Sequence, residues 1–489
     1  MRSFQFICIF TFLFSLASNS ITVNAQRNKP NILFLFSDDQ RMDAVGAYGN
    51  PYIQTPNLDR LAQQGTRFTN NFCMGSHHGA VCAPSRAMLM SGKSLFNVYD
   101  KLEGVTIMPE VLKDQGYVTF GTGKWHNEKT AFARGFEYGR NVFFGGMSDH
   151  FEVPVVDLKE DGSFTEEETN GFSTRIFTDA VVDFVQDYSA NGVDQPFFAY
   201  VAYTTPHDPR SPVQDYIDYY PPNALPLPAD FMATHPFDLG VMTIRDENLG
   251  KWPRSAAQVR QQLADYYGLI THMDHEIGRI LQTLEDNNLL HNTLIIFSSD
   301  HGLAIGSHGL LGKQSLYETS MKAPLIISGP GIPTSTTTDA LVYLYDLFPT
   351  LLDYLELEIP EGVDGQSIMP VISGEVKDIR NSLFTAYSGS QRAVKDHRWK
   401  LIQYPEIHHT QLFDLKHDPY ELNNLAQIET YQPKVNEMMD LLREWQQKTN
   451  DDQPLMAQQK KPMEYDLSDY KPKPDRHQPE YTIKKYFEE

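Results

Sequence analysis

Cysteine is scarce in this chain. Its 489 residues hold three, Cys8, Cys73 and Cys82, too few for a disulfide-built scaffold, so apolar packing must carry the fold. Positive charge is short too, with 41 Lys and Arg against 63 Asp and Glu and a formal net charge of −22. That field repels polyanions, which excludes nucleic-acid binding and requires any anionic ligand to be held by a local cluster of cations. Apolar runs long enough to cross a bilayer are missing, so no stable membrane insertion is expected, and no segment repeats internally.

What is present suits a large exported globular protein. Hydrophobic residues make up 41% of the chain, with 25 Tyr and 29 Phe. Met1-Arg2, the apolar run from Phe4 to Ala17 and the small-residue site Val23-Asn24-Ala25 form the pattern of an export leader over residues 1–25. The mature protein is therefore expected in the periplasm or secreted. Its length fits one large domain over 26–374 and a smaller one over 375–489.

Apolar runs of strand length at 31–37, 68–72, 117–121, 197–203, 293–297 and 323–328 alternate with helical patterns at 55–64, 108–115, 173–188, 256–290 and 346–355. This predicts an α/β fold: a doubly wound, mostly parallel central sheet with helices on both faces. The 256–290 stretch allows an internal break, and 145–170 reads as irregular surface structure. Residues 206–253, rich in Pro, Asp and aromatics, read as an insertion that walls a cleft. Beyond residue 374, short alternating runs predict an antiparallel meander with a helix over 431–448, a smaller C-terminal α+β domain. The Pro-rich charged tail from Asp451 carries aromatics suited to pin it to the body.

Four strands end in polar residues: Asp38-Asp39, Lys124 with His126, His207, and Asp300-His301. In an open parallel sheet the carboxyl ends of strands share one edge, so these sequence-distant groups meet there. Adjacent carboxylates at the end of a buried strand repel one another unless a cation lies beside them. With Asp300 they make three carboxylates, a set that suits Ca²⁺ or Mg²⁺, with His301 as a fourth ligand.

The stretch C-A-P-S-R-A-M-L-M-S-G from Cys82 to Gly92 resembles the signature of the type I, formylglycine-dependent sulfatases of the alkaline phosphatase superfamily. Lys124 and His126 in G-K-W-H, His207 in T-P-H and Lys313 in G-L-L-G-K-Q match that family's cationic set. Asp300-His301 resembles its iduronate-2-sulfatase-like members. A-V-K-D-H-R-W-K-L-I and L-F-D-L-K-H-D-P-Y-E-L-N-N-L resemble its C-terminal pattern, so the likeness covers nearly the whole mature chain.

The resemblance implies that a formylglycine-generating enzyme converts Cys82 to formylglycine, whose hydrate attacks sulfur. It implies Ca²⁺ on Asp38, Asp39, residue 82, Asp300 and His301, and a charged group held by Arg86. Lys124 and Lys313 neutralise the sulfate, Asp300 deprotonates the nucleophile, His207 with Lys313 protonates the leaving alcohol, and His126 is the base of the second step. Lys124 and His126, two residues apart, are expected on one side of an extended chain. Lys124, His207, Lys313 and His78 are the candidate substrate contacts, His78 standing open between pocket lining and an ordinary loop position. Cys73 is a small buried hydrophobe, since a bond to Cys82 would remove the nucleophile. The expected function is hydrolysis of sulfate esters, most naturally of a sulfated carbohydrate. A phosphonate or phosphate monoester hydrolase of the same superfamily and a catalytically silent sulfated-glycan binding protein are the alternatives.

Overall fold

The most continuous apolar run becomes the middle of the main sheet. In the computed structural model, which describes residues 29–487, β1 (Asn31–Ser37) is buried at every position. The leader expected over residues 1–25 lies outside the described residues. The following strands are β2 (Gly65–Phe68), β3 (Asn71–Phe72), β4 (Gly75–Ser76), β5 (Val118–Lys124), β6 (Tyr138–Phe143), β7 (Val156–Leu158), β8 (Phe197–Ala202), β9 (Thr293–Ser299), β10 (Leu325–Ser328) and β11 (Thr336–Thr338). Nine of them form one sheet in the order β11-β2-β10-β9-β1-β8-β5-β6-β7.

β1 is parallel to both neighbours, Phe34 pairing with Tyr200 of β8 and Ile296 of β9. β5 is parallel to β8 and β6, whereas β10 and β7 run antiparallel to their partners. The sheet is thus mostly parallel, as expected. Strand alternation sends Ile32, Phe34 and Phe36 into one core with Ala87, Met88, Met108 and Leu112. Leu33 and Leu35 enter the other, with Ile176 and Phe177 of the helix Ser173–Ala190 and Met273 and Ile277 of the helix Ala256–Asp286. Burying each such side chain contributes about 1.5–3 kcal/mol, so a run apolar on both faces is stable only between two helical layers.

Three expectations change. The helix Ala256–Asp286 is continuous over 31 residues, and its Gly268 marks a close approach, where a Cβ would lie 2.9 Å from the Tyr216 carbonyl oxygen. The 145–170 region contributes β7, a strand too short to show an alternating pattern. The strand expected over 68–72 is split, because β3 leaves the main sheet to pair with β12 (Val342–Tyr343).

The C-terminal meander is β13 (Leu383–Tyr387), β14 (Gln391–Lys395), β15 (Trp399–Tyr404) and β16 (His409–Asp414), antiparallel throughout. On it lies the helix Gln432–Thr449, whose Trp445 stacks on Phe384. Its fifth strand is β4, just ahead of Cys82, parallel to β13. The smaller sheet therefore grips the segment that leads into the sulfatase-like motif.

Gly123 shapes the end of β5. It sits at a register shift against β6, with φ +86° and a would-be Cβ 1.9 Å from the Ala202 carbonyl oxygen. Gly123→Ala should lower the unfolding free energy by about 2–4 kcal/mol in denaturant titration; an unchanged midpoint would contradict this account of the bulge.

Candidate active site

β9, β1, β8 and β5 are consecutive and parallel, so their carboxyl ends open on one edge. β9 delivers Asp300 and His301, β1 delivers Asp38 and Asp39, β5 ends at Lys124, and His207 follows β8 by a short loop. Asp39 has φ +64°, a turn that leads the chain off the strand. It is fixed by Asp39 N donating to Asp300 Oδ1 (3.0 Å), Tyr266 OH donating to the Asp39 carbonyl (2.7 Å) and Gln40 N donating to Ser299 Oγ (2.9 Å).

The helix Cys82–Ser91, buried at all ten positions, points its first turn at this edge. Cys82 and Arg86, one turn apart, share a face. Ser85 Oγ donates to the Asp300 carbonyl at 2.6 Å and ties the helix to the end of β9. Cys82 Sγ lies 3.1 Å from Lys313 Nζ, 3.4 Å from His301 Nε2 and 3.7 Å from Asp39 Oδ1.

The ion pairs around it are buried. Arg86 Nη2 meets Asp300 Oδ2 at 3.1 Å, and its Nη1 donates to the Lys124 carbonyl at 2.7 Å. Lys124 Nζ pairs with Asp38 Oδ2, and Lys313 Nζ with Asp39 at 2.7 and 3.0 Å. Burial pushes the Asp39 carboxyl up, but His207, Lys313 and His301 outweigh it and hold it below the usual range. Burial likewise opposes ionisation of Asp300, and His301 with Arg86 overcomes it. Burial dominates at Cys82 and pushes the thiol well above its ordinary value despite Lys124 and Lys313. An unmodified thiol here is a poor nucleophile.

The donor set fits a cation. His301 Nδ1 donates to the Gly302 carbonyl (2.9 Å), which turns Nε2 towards Asp39 Oδ1 at 3.4 Å. Asp38 Oδ1 is buried without a hydrogen-bond partner. Asp38, Asp39, Cys82 and His207 each offer a ligand atom within 4.8 Å of the others, as do Cys82, Asp300 and His301. His207 thus lies beside the carboxylates, with its Nε2 3.7 Å from Asp39 Oδ2.

Two expectations shift. Lys124 and His126 do not extend one strand face, because His126 has φ +62°; the chain turns after Lys124. The His126 ring lies against Gly146, with Nδ1 buried and unpartnered. Burial, then Lys124 and Arg86, push it well below the ordinary histidine value, so it is a neutral base. His78 stays outside the cluster: its Nε2 pairs with Asp100 at 2.8 Å, with the side chain 49% exposed. Cys73 is buried and free, as is Cys82.

Other contributors escaped the sequence reading. Gln314 Nε2 donates to Asp246 Oδ2 (2.6 Å) and to the Gly79 carbonyl (3.0 Å), bracing the loop before Cys82. Asp246 also favours the protonated form of Lys313, behind Asp39 and Cys82. R-D-E-N within the insertion was the only signal, and it has no periodicity to read.

A family model described as Sulfatase matches residues 30–357, and one described as N-sulphoglucosamine sulphohydrolase, C-terminal, matches residues 306–448. The N-acetylglucosamine-6-O-sulfatase of Bacteroides thetaiotaomicron is 29% identical, over 90% of this chain and 90% of its own. The ulvan-active sulfatase of Formosa agariphila is 28% identical, over 84% of this chain and 80% of its own. A solved protein in complex with its substrate D-glucosamine-2-N,6-O-disulfate superposes with a TM-score of 0.74 at 26% identity, covering 87% of this chain and 99% of that one.

Arg86 is 1% exposed and holds a carboxylate that is fully buried. Arg86→Met should therefore destabilise the fold by about 3–5 kcal/mol, because it strands buried negative charge. Thermal unfolding checks this; a variant as stable as wild type would mean that Arg86 serves only a ligand.

Proposed function

The chain belongs to the sulfatase family, and on that premise we propose that it removes sulfate from a sulfated carbohydrate outside the cytoplasm, using a formylglycine made from Cys82 and a calcium ion. Sulfate ester hydrolysis goes with the family. The observation that carries the reading is the surround of Cys82: a non-activated thiol at a helix start, within reach of Lys313, His301 and Asp39, among three carboxylates and the side chains of Arg86, Lys124 and Lys313.

Formylglycine and calcium would supply what this set lacks, an oxygen nucleophile on residue 82 and a Lewis acid for the sulfate oxygens. A formylglycine-generating enzyme is the partner this requires. The chain's own residues do the rest. Arg86 fixes Asp300. Lys124 and Lys313 provide the local positive charge that a sulfate needs in a protein of net charge −22. Asp300, held ionised by His301 and Arg86, accepts the proton of the attacking hydroxyl. His207, whose Nε2 faces Asp39 at 3.7 Å, protonates the leaving alcohol together with Lys313. His126, neutral and with a free Nδ1, takes the proton in the second step.

Carbohydrate as the substrate class is supported by the sugars named for the two relatives and bound in the solved neighbour. Export is supported by the leader pattern over residues 1–25.

The test is a panel of sulfated sugars, including glucosamine sulfated at nitrogen and O6, beside nitrophenyl sulfate and a phenyl phosphonate. Material made with the maturing enzyme should desulfate at least one sugar, and its Cys82 peptide should be about 18 Da lighter than the cysteine form. Cys82→Ala should be inactive. Full activity with unmodified cysteine, or a phosphonate turned over faster than every sulfate ester, would overturn the reading.

Removal of metal gives a second test. Exhaustive chelation should abolish turnover and added Ca²⁺ should restore it; undiminished activity in metal-free protein would rule out the cation.

A further inference from the structure

We propose that the C-terminal segment carrying Asp475 and Gln478 positions His207: it clamps Asp208, and through Asp208 it aims the histidine at the leaving alcohol. The proposal rests on reading His207 as the acid for that alcohol.

His207 Nδ1 donates to the carbonyl of Asp208 at 2.8 Å, so its Nε2 is the atom that faces the site, 3.7 Å from Asp39 Oδ2. The carboxylate of the same Asp208 lies 3.4 Å from Nδ1 and competes for that proton unless it is held elsewhere. Three donors hold it. Arg245 Nη1 donates to Oδ1 at 2.6 Å, Arg245 Nη2 donates to Oδ2, and Gln478 Nε2 donates to Oδ2 at 2.6 Å. Asp475 in turn accepts from Arg245 Nε. His150 Nε2 donates to the His207 carbonyl at 2.9 Å and fixes the loop from the other side.

The segment is anchored for this task. Tyr470 OH donates to Asn248 Oδ1 and Tyr486 OH to Asp265 Oδ2, each at 2.7 Å, so the chain crosses the insertion and returns to the long helix. Gln478 itself is buried.

The chemistry is one proton transfer. As the ester S–O bond breaks, its electron pair goes to the alcohol oxygen and the proton on His207 Nε2 goes with it. A sugar alcohol needs that proton in the transition state, whereas nitrophenolate leaves without it. Misplacing the ring by freeing Asp208 therefore penalises the sugar selectively. A purely structural role for the tail penalises both substrates alike.

The experiment compares kcat and KM of the full-length matured enzyme on nitrophenyl sulfate and on the sulfated sugar that it cleaves fastest. The variants are Gln478→Leu, Gln478→Glu, Asp475→Asn and His207→Ala. His207→Ala should lose about a hundredfold or more on the sugar and much less on the aryl ester. Gln478→Leu should lose about tenfold on the sugar, in kcat, and less than about twofold on nitrophenyl sulfate. Gln478→Glu, of the same shape but with an acceptor in place of the donor, should lose more than Gln478→Leu. Asp475→Asn, which acts through Arg245, should shift the ratio the same way by less, and reports independently if a Gln478 variant does not fold.

Selective loss with His207→Ala but equal losses on both substrates for the tail variants would overturn the proposal and leave the reading of His207 standing. Equal losses for His207→Ala would overturn both.

Discussion

Everything at the candidate site depends on a balance of buried charge. Asp38, Asp39 and Asp300 face Arg86, Lys124 and Lys313, and none of the six is more than 3% exposed. Two unit charges 4 Å apart interact by about 4 kcal/mol at the effective dielectric near a protein surface, and more strongly away from water. No one member can be removed without stranding its partner. The same arithmetic makes the site selective. Three carboxylates face three cationic side chains, so a dication bound here would leave an excess for an incoming sulfate monoanion to relieve, within a protein whose overall field repels such a ligand.

The fold exists to bring those six together. The ends of β1, β5 and β9 supply Asp38, Asp39, Lys124 and Asp300, the buried helix that begins at Cys82 supplies Arg86, and the loop after β9 supplies Lys313. The smaller sheet is no bystander, since β4 joins it immediately before that helix. A chain of contacts then runs outwards from His207 through Asp208 and Arg245 to the tail. The reacting centre is thereby braced by segments from both ends of the described chain.

Much of this was legible in the sequence, for a physical reason. A parallel strand buried on both faces has to be continuously apolar, so β1, β8 and β9 announce themselves, and the polar residues that end them must share an edge. The Cys82 motif adds a helix start whose position relative to that edge follows from topology. Local backbone turns were not legible. Nothing in G-K-W-H says that His126 takes a left-handed conformation, so the extended chain expected there gives way to a turn. The pairing of His78 with Asp100 was not legible either, because an exposed loop contact leaves no pattern. The tail was opaque for the same reason in stronger form: its bonds to Arg245 and Asp208 join residues 230 and 270 positions apart, within a segment that has neither helical nor strand periodicity.

The central claim is that this edge attacks the sulfur of a sulfate ester and lets the sugar alcohol leave with a proton from His207. Hydrolysis of a sulfated sugar in heavy-oxygen water, followed by mass spectrometry of both products, tests it most directly. The account predicts the label in the released sulfate and none in the sugar. Label in the sugar hydroxyl would mean that the carbon–oxygen bond breaks instead, and would contradict the roles assigned to residue 82 and His207 together.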